Sequence, residues 1–447
     1  MSMGSFAAPI TAILHEVLPW LWETAPDLPA PVRSRAQRLW LDSACCAWSG
    51  LRSDTCLQWL ALQAQAEPGM VALPGSDVRL GVGAGAFALA MGSCWDEACE
   101  GLALAHGRPG IPVFAALWSQ VGNVRPTWGA LWRASAVGYE VGARMGARLR
   151  IRSGHHVDGM WSAFGAAVAL AHLHGLRWQD ALAAMENCAV QLPYSLYQPI
   201  TQGANVRNQY LAHSSWLALQ AEQAVRAGIS SPVGAIDTFA RLALDSGEPE
   251  ALEGPGHWRI LDSYWKPFAG VRHVQYGVQA ALRLREQLGD PEAIEELELV
   301  VYPEALMYCA NRDPGTPIAA QFSLGFGVAA ALVFGDLSPA QYRSPQFEDA
   351  RLRRLERLLD IRADKEFFPT PQRGACLSAR VHGQWLRVVQ GPMAGDPGFD
   401  PDVDAVLRKF HHYTEGDAAM ARWAGALQHD PSTAAAIWPE YNQERAR

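Results

Sequence analysis

Apolar residues in the first 250 positions recur at the spacing of one helix after another. Residues 32–48 place Leu39, Leu41, Ala44, Cys45 and Trp48 on or near one face. Residues 128–148 repeat the pattern with many small side chains, and 165–174 are Ala, Val and Leu broken only by histidine. A helix that is apolar all round belongs at the centre of a helical domain. Residues 177–192 and 209–227 predict two more helices, each closed by Gly or Pro signals. The texture changes after Lys266. Helices are predicted over 274–288, 322–334 and 349–360, the last heavily charged. The run LELVVY at 297–302 reads as a strand, and 375–381 and 384–389 alternate like two strands joined at His382-Gly383. A last helix begins at 403. The pattern predicts a mainly α protein, with a large all-helical domain (1–266 and 402–447) and a smaller α+β lid domain (267–401).

Composition narrows the function classes. At 447 residues the chain exceeds one ordinary core. Its net charge of −8 gives no reason to expect nucleic acid or an acidic membrane as partner. No apolar run reaches membrane-spanning length. Residues 1–9 lack the basic start of a secretory signal. The eight cysteines show no zinc-type spacing, so buried free thiols in a cytoplasmic protein are expected.

Of 37 basic residues only three are lysines, Lys266, Lys365 and Lys409. Lys266 is flanked by Trp265 and Phe268, and an ammonium offers a compact charge that arginine does not. Four polar groups are candidates for chemistry. Gly154 to Gly159 sets His155, His156 and Asp158 ahead of the core helix, where an anion would be welcome. In the stretch from Asp96 to Gly110 the carboxylates Asp96, Glu97 and Glu100 and the imidazole of His106 could form a proton-relay pair. Arg207 and Tyr210 sit at a polar helix entry, where an arginine is out of place unless it faces an anion. Lys266, Arg272 and His273 form a positive group. Each also has a plain reading as solvated loop or cap. Together they suit a dicarboxylate or tricarboxylate and proton transfer.

Six segments add a resemblance. They are Arg38 to Asp42 continuing through Gly50; Ser135 to Val141, containing Gly138-Tyr139-Glu140-Val141; and His156 through Gly165-Ala166-Ala167. Lys266-Pro267-Phe268 through Ala280-Ala281-Leu282 follows. Then come Thr316 through Ala320-Gln321-Phe322-Ser323-Leu324 with Ala329 to Leu332, and Gly395-Asp396-Pro397 to Lys409-Phe410. In order and spacing these resemble the MmgE/PrpD family, which includes 2-methylcitrate dehydratase, cis-aconitate decarboxylase and iminodisuccinate epimerase. The resemblance implies the same two-domain fold, a homodimer, no metal or organic cofactor, and an active site at the domain junction. It implies a polycarboxylate substrate and movement of a proton at carbon. Lys266 falls on a family active-site lysine, His156 on an active-site histidine, and His106 matches the histidine before its "HPG".

The departures also bear on function. The family's "HALDFDDT" becomes Cys94 to Glu100, leaving Asp96, Glu97 or Glu100 to supply its acid. A second family lysine falls on Arg207 and a histidine on Tyr210. Pro-Thr after His156 becomes Val157-Asp158. An expected cysteine is Val271, and an expected histidine falls on Gln275, with His273 two positions early.

The leading reading is a cofactor-independent lyase or isomerase. His106 or His156, or else Lys266, removes a proton next to a carboxylate. Asp96 or a neighbouring acid orients a histidine. Arg207, Tyr210, Glu100, Arg272 and His273 bind substrate. A second reading is a tailoring enzyme on a non-citrate substrate, motivated by tryptophans 95, 161 and 265. A third is a non-catalytic dimeric scaffold.

Overall fold

The computed structural model describes residues 9–149, 151–243, 254–427 and 431–435. Residues 1–8, on which most of the signal-peptide reading rests, and 436–447 of the expected helical domain lie outside the described residues.

The helices that the apolar pattern placed are present as Ala30–Leu51, Trp128–Arg148, Ser162–Leu173, Trp178–Ala189 and Tyr210–Arg226, and Val82–Cys94 and Gly110–Val124 are further long helices beside them. Ser162–Leu173 is buried at every position from Ser162 to Ala171. It meets Trp128–Arg148 through glycine: a Cβ on Gly165 would stand 2.5 Å from the Gly138 carbonyl oxygen. Small residues here let two backbones touch, which side chains would prevent.

The α+β part holds a four-stranded sheet in the order Leu359–Ala363, Ile294–Val301, Ala375–Val381, Gln384–Gln390. Leu299 is opposite Leu377, and Ala379 opposite Leu386. The helices Arg272–Arg285 and Leu324–Phe334 pack together with tight tolerance, since a Cβ on Gly327 would fall 2.3 Å from Val274. The charged stretch 349–360 departs from expectation. It is helical only over Ala350–Leu358, and the chain then enters the parallel edge strand Leu359–Ala363. Charged residues hide the alternation there, and pairing with Leu297–Val301 decides the conformation. The short pair Pro68–Ala72 and Arg79–Leu80 was not anticipated either.

The chain then returns to the helical body. Lys409, on the helix Val403–Tyr413, donates to Asp42 Oδ1 at 2.6 Å. Trp423 packs against Trp118 with ring centroids 5.2 Å apart. The protein is thus a helical domain with a smaller α+β domain, and we propose 266/267 and 401/402 as the points of division. No helix among the described residues is long and apolar enough to cross a membrane.

Candidate active site

Glu97 lies in the loop after the helix Val82–Cys94 and has a left-handed backbone, φ 51°. That conformation is costly for a residue with a Cβ and concentrates at functional sites. Three cations hold it. Lys266 Nζ donates to the Glu97 backbone carbonyl and to Oε1 at 3.1 Å. Arg207 Nη1 donates to Oε2 at 2.6 Å and Arg108 Nη1 to the same oxygen at 3.0 Å. Arg108 also pairs with Asp158 through Nη2, and Arg207 Nη2 lies 3.6 Å from that carboxylate. All five side chains are buried. Three positive charges thus meet two carboxylates, and Arg108 Nη1 also reaches the Cys99 thiol at 3.4 Å, which burial raises but Cys94 and Arg108 push down to about 6. Burial alone would raise both acids, but Arg108, Lys266 and Arg207 hold Glu97 well below the usual carboxylate range. Arg108, His156 and Arg207 also lower Asp158 against the effect of burial.

A cavity of about 590 Å³ covers this network. Glu97, His106, Arg108, His156, Asp158 and Arg207 line it from the helical body, and Arg272, His273, Tyr308 and Arg373 from the lid side. His156 is stacked near Tyr197 at 5.9 Å and is pushed down to about 4, first by burial and then by Arg207 and Arg108, so it is neutral at neutral pH. Its Nδ1 accepts the backbone N–H of Asp158 at 3.1 Å. In a neutral ring the proton must then sit on Nε2, which makes His156 a hydrogen-bond donor rather than a base. His106 also lines the cavity, exposed, with φ 53°.

The remaining sequence candidates are distributed unevenly. Lys266 is 1% exposed and is not on the cavity wall; it reaches the cavity through Glu97. Lys266 and His156 therefore join one buried network instead of facing each other across open space. Asp96 turns away from the cavity. Ser49 donates to it at 3.0 Å and Arg343 at 3.2 Å, which ties the lid to the helical body. Glu100 also points inward, accepting from the Gly110 N–H at 2.8 Å and from Tyr139 at 3.3 Å. Of the three acids, the αL backbone presents only Glu97 to the cavity. Tyr210 stands behind His156 at 5.8 Å and donates to the Leu196 carbonyl at 2.9 Å, and it is not on the cavity wall. Arg207 meets carboxylates, as its odd position at a helix entry implied. His155 and His156 precede the core helix by several residues, because Ser162 begins it. Tryptophans 95, 161 and 265 do not line the cavity; its aromatic wall is Tyr197, Tyr264, Tyr308 and Phe322. The sequence signal for Arg108 and Asp158 was their place in polar Gly-bounded loops, but nothing local showed that they pair.

All eight cysteines are free and buried. Asp42, Cys45 and Cys46 place three possible metal ligands within 4.8 Å of one another. Asp42 is already engaged by Lys409 and by the Glu100 N–H at 3.0 Å, so the group serves packing.

Family models match nearly the whole described chain. The MmgE/PrpD N-terminal domain matches residues 23–241 and the MmgE/PrpD C-terminal domain residues 268–422. The chain belongs to the MmgE/PrpD family. No curated protein matches it at a significant level. MmgE/PrpD membership points to an enzyme of the dehydratase and isomerase type. In this MmgE/PrpD chain the junction between the two matched domains, near Lys266, is where the cavity lies.

Proposed function

We propose that the protein is a cofactor-independent lyase or isomerase that removes a proton from the carbon next to a carboxylate of a small polycarboxylate. The observation that carries this is the gathering of Arg108, Arg207 and Lys266 beneath a cavity with a neutral imidazole on its wall. Arg207 and Arg108 hold a substrate carboxylate, since a flat guanidinium suits a planar anion. As the C–H bond ionises, negative charge moves onto the carboxylate oxygens. His156 Nε2–H donates to that developing charge, and the fixed arginines stabilise it in a site of low dielectric. His106 is the base, because Nδ1 of His156 is occupied and the Lys266 ammonium is committed to Glu97. Lys266 holds Glu97 in its strained conformation, which keeps both arginines in place. Loss of water, loss of CO₂ or return of the proton to the other face can each follow from the same enolate-like state. The same reading takes the protein as a cytoplasmic homodimer.

The test is proton exchange in D₂O followed by NMR across citrate-like acids and imino- and amino-dicarboxylates. Deuterium uptake at the carbon next to a carboxylate is expected, abolished in His106→Gln. Absence of exchange with every acid tried sinks the proposal.

A further inference from the structure

Tyr264 lines the cavity together with Glu97, Arg108 and Arg272. Its backbone is fixed by a two-way bridge. Its N–H donates to the Gly101 carbonyl at 2.8 Å, and the Gly101 N–H donates to its carbonyl at 3.2 Å. Two residues on, Lys266 holds Glu97, so residues 264 and 266 pin both ends of the loop 97–101. The ring is fixed too. The Arg272 guanidinium covers one face at 4.3 Å from the centroid. The hydroxyl end lies against Gly101, where a Cβ would collide with the oxygen. Glycine at 101 is what lets the phenol approach the backbone so closely.

The hydroxyls of Tyr139, Tyr210, Tyr276 and Tyr342 all donate to protein oxygens. The Tyr264 hydroxyl makes no hydrogen bond to any described residue, although the side chain is part-buried. A phenol enclosed to this degree ordinarily finds a partner. Burial holds it above its ordinary value, and Arg272, Glu97 and Arg108, all on the cavity wall, act on it as well. The hydroxyl therefore keeps its proton at neutral pH and is a donor whose open direction is the cavity.

The reaction proposed above has a base and needs a second group that gives a proton back. Loss of water requires a proton on the departing oxygen, and inversion requires one on carbon from a group other than the base. His156 can donate a hydrogen bond, but losing its Nε2 proton would leave an imidazolate. We propose that the Tyr264 hydroxyl is a catalytic proton donor of this site, touching the bound acid and protonating it after His106 has taken a proton from carbon. This rests on the reaction proposed above. The Tyr264 O–H bond breaks, and its proton goes to the departing oxygen, or to carbon when the centre inverts or CO₂ leaves. The electron pair that the substrate releases forms the new bond. The phenolate left behind lies under the Arg272 guanidinium, and the proton on His106 returns to it through solvent. A phenol remains a stronger acid than water, at about 15.7, so transfer to a departing hydroxide is downhill.

The test is Tyr264→Phe in the full chain, which removes one unpaired oxygen and keeps the ring. Thermal melting is expected within about 2 °C of the wild type. Calorimetry with succinate should show binding about tenfold weaker, the loss of one hydrogen bond to a charged group. At saturating acid, deuterium exchange should stay within about threefold because His106 is intact, while net conversion (loss of water or CO₂, or inversion of a single enantiomer) falls about 100-fold or more. Conversion at the wild-type rate, unchanged succinate binding, or loss of exchange along with conversion overturns Tyr264 as the donor and leaves the reaction standing. A wild type that exchanges without converting any acid overturns it as well. A wild type that exchanges no acid overturns the reaction and the proton transfer together; tenfold weaker succinate binding would then reduce the hydroxyl to a binding contact.

Discussion

Lys266 grips Glu97 twice, through its backbone carbonyl and through Oε1 at 3.1 Å. One side chain thus fixes both the strained φ of the loop and the direction of the carboxylate. Lys409 reinforces the same loop from behind, donating to the Ala98 carbonyl at 2.7 Å and to the Lys266 carbonyl at 2.8 Å. Two of the protein's three lysines therefore hold one turn of chain, and the third, Lys365, is exposed. An ammonium suits this task because it can donate in several directions from one compact centre.

Replacing Lys266 with Ala removes one partner of a buried network. Stability is expected to fall by about 3–5 kcal/mol, because Glu97 keeps its charge but loses a cation. Deuterium exchange, measured on the folded fraction, should drop about 100-fold or more as the arginines lose their fixed anchor. Exchange at the wild-type rate would remove Lys266 from the mechanism.

Glu97→Gln removes one negative charge from this network and makes it more positive by one. Anion binding should tighten while turnover falls, because the ground state gains attraction without the aligned arginines. Calorimetry with succinate and the exchange rate together check this. Weaker succinate binding would contradict the charge assignment.

Asp96→Asn tests whether the neighbouring acid is structural. Burial raises this carboxyl, partly offset by Arg343 and Ser49. Loss of its charge should cost about 1–3 kcal/mol of stability through the Ser49 and Arg343 contacts, with the exchange rate per folded molecule unchanged. A large loss of rate at full stability would return Asp96 to the active site.

Stability should peak on the acid side of neutrality. His156 falls from 6.5 to about 4 on folding, so the unfolded chain takes a proton first as pH drops, and stability is lost from 6.5 downward. Glu100 behaves oppositely. Burial, then the charge of Cys99, raises it from 4.5 to about 8, so its contribution is complete below 4.5 and disappears as pH rises through 8. The Glu100→Gln protein should lose its share of the alkaline decline, on the order of 3–5 kcal/mol by the size of that shift, while Glu140, raised by burial to about 7, keeps a smaller decline of the same sign. Thermal melts from pH 4 to 9 read both limbs, and an unchanged alkaline limb would show that Glu100 is ionised in the fold.

Gly165→Val probes the helix contact that supports the site. Its Cβ would collide with the Gly138 carbonyl at 2.5 Å and with Gly142, backbone that cannot swing aside. A loss of about 3 kcal/mol or more, or failure to fold, is expected.

The elements whose character depends on their own residues were legible in the sequence. Residues 128–148 form one helix because small and apolar side chains recur at helical spacing with Thr127 as a cap. The strands at 375–381 and 384–390 follow from alternation around His382-Gly383, with left-handed φ at both turn residues. Lys266 stands out as one of three lysines, Arg207 as a cation at a helix entry, and His156 by its polar Gly-bounded loop before the core helix. What depended on distant partners was not legible. The strand Leu359–Ala363 exists through Leu297–Val301. Glu97 rather than Asp96 or Glu100 enters the cavity because Lys266, 169 positions away, pins its carbonyl. Arg108 meets Asp158, and the Asp158 N–H decides the proton position on His156, only once three loops converge. Periodicity records which face of an element is apolar; it carries no information on where an irregular loop aims a carboxylate, because long-range charge and hydrogen bonding set that direction.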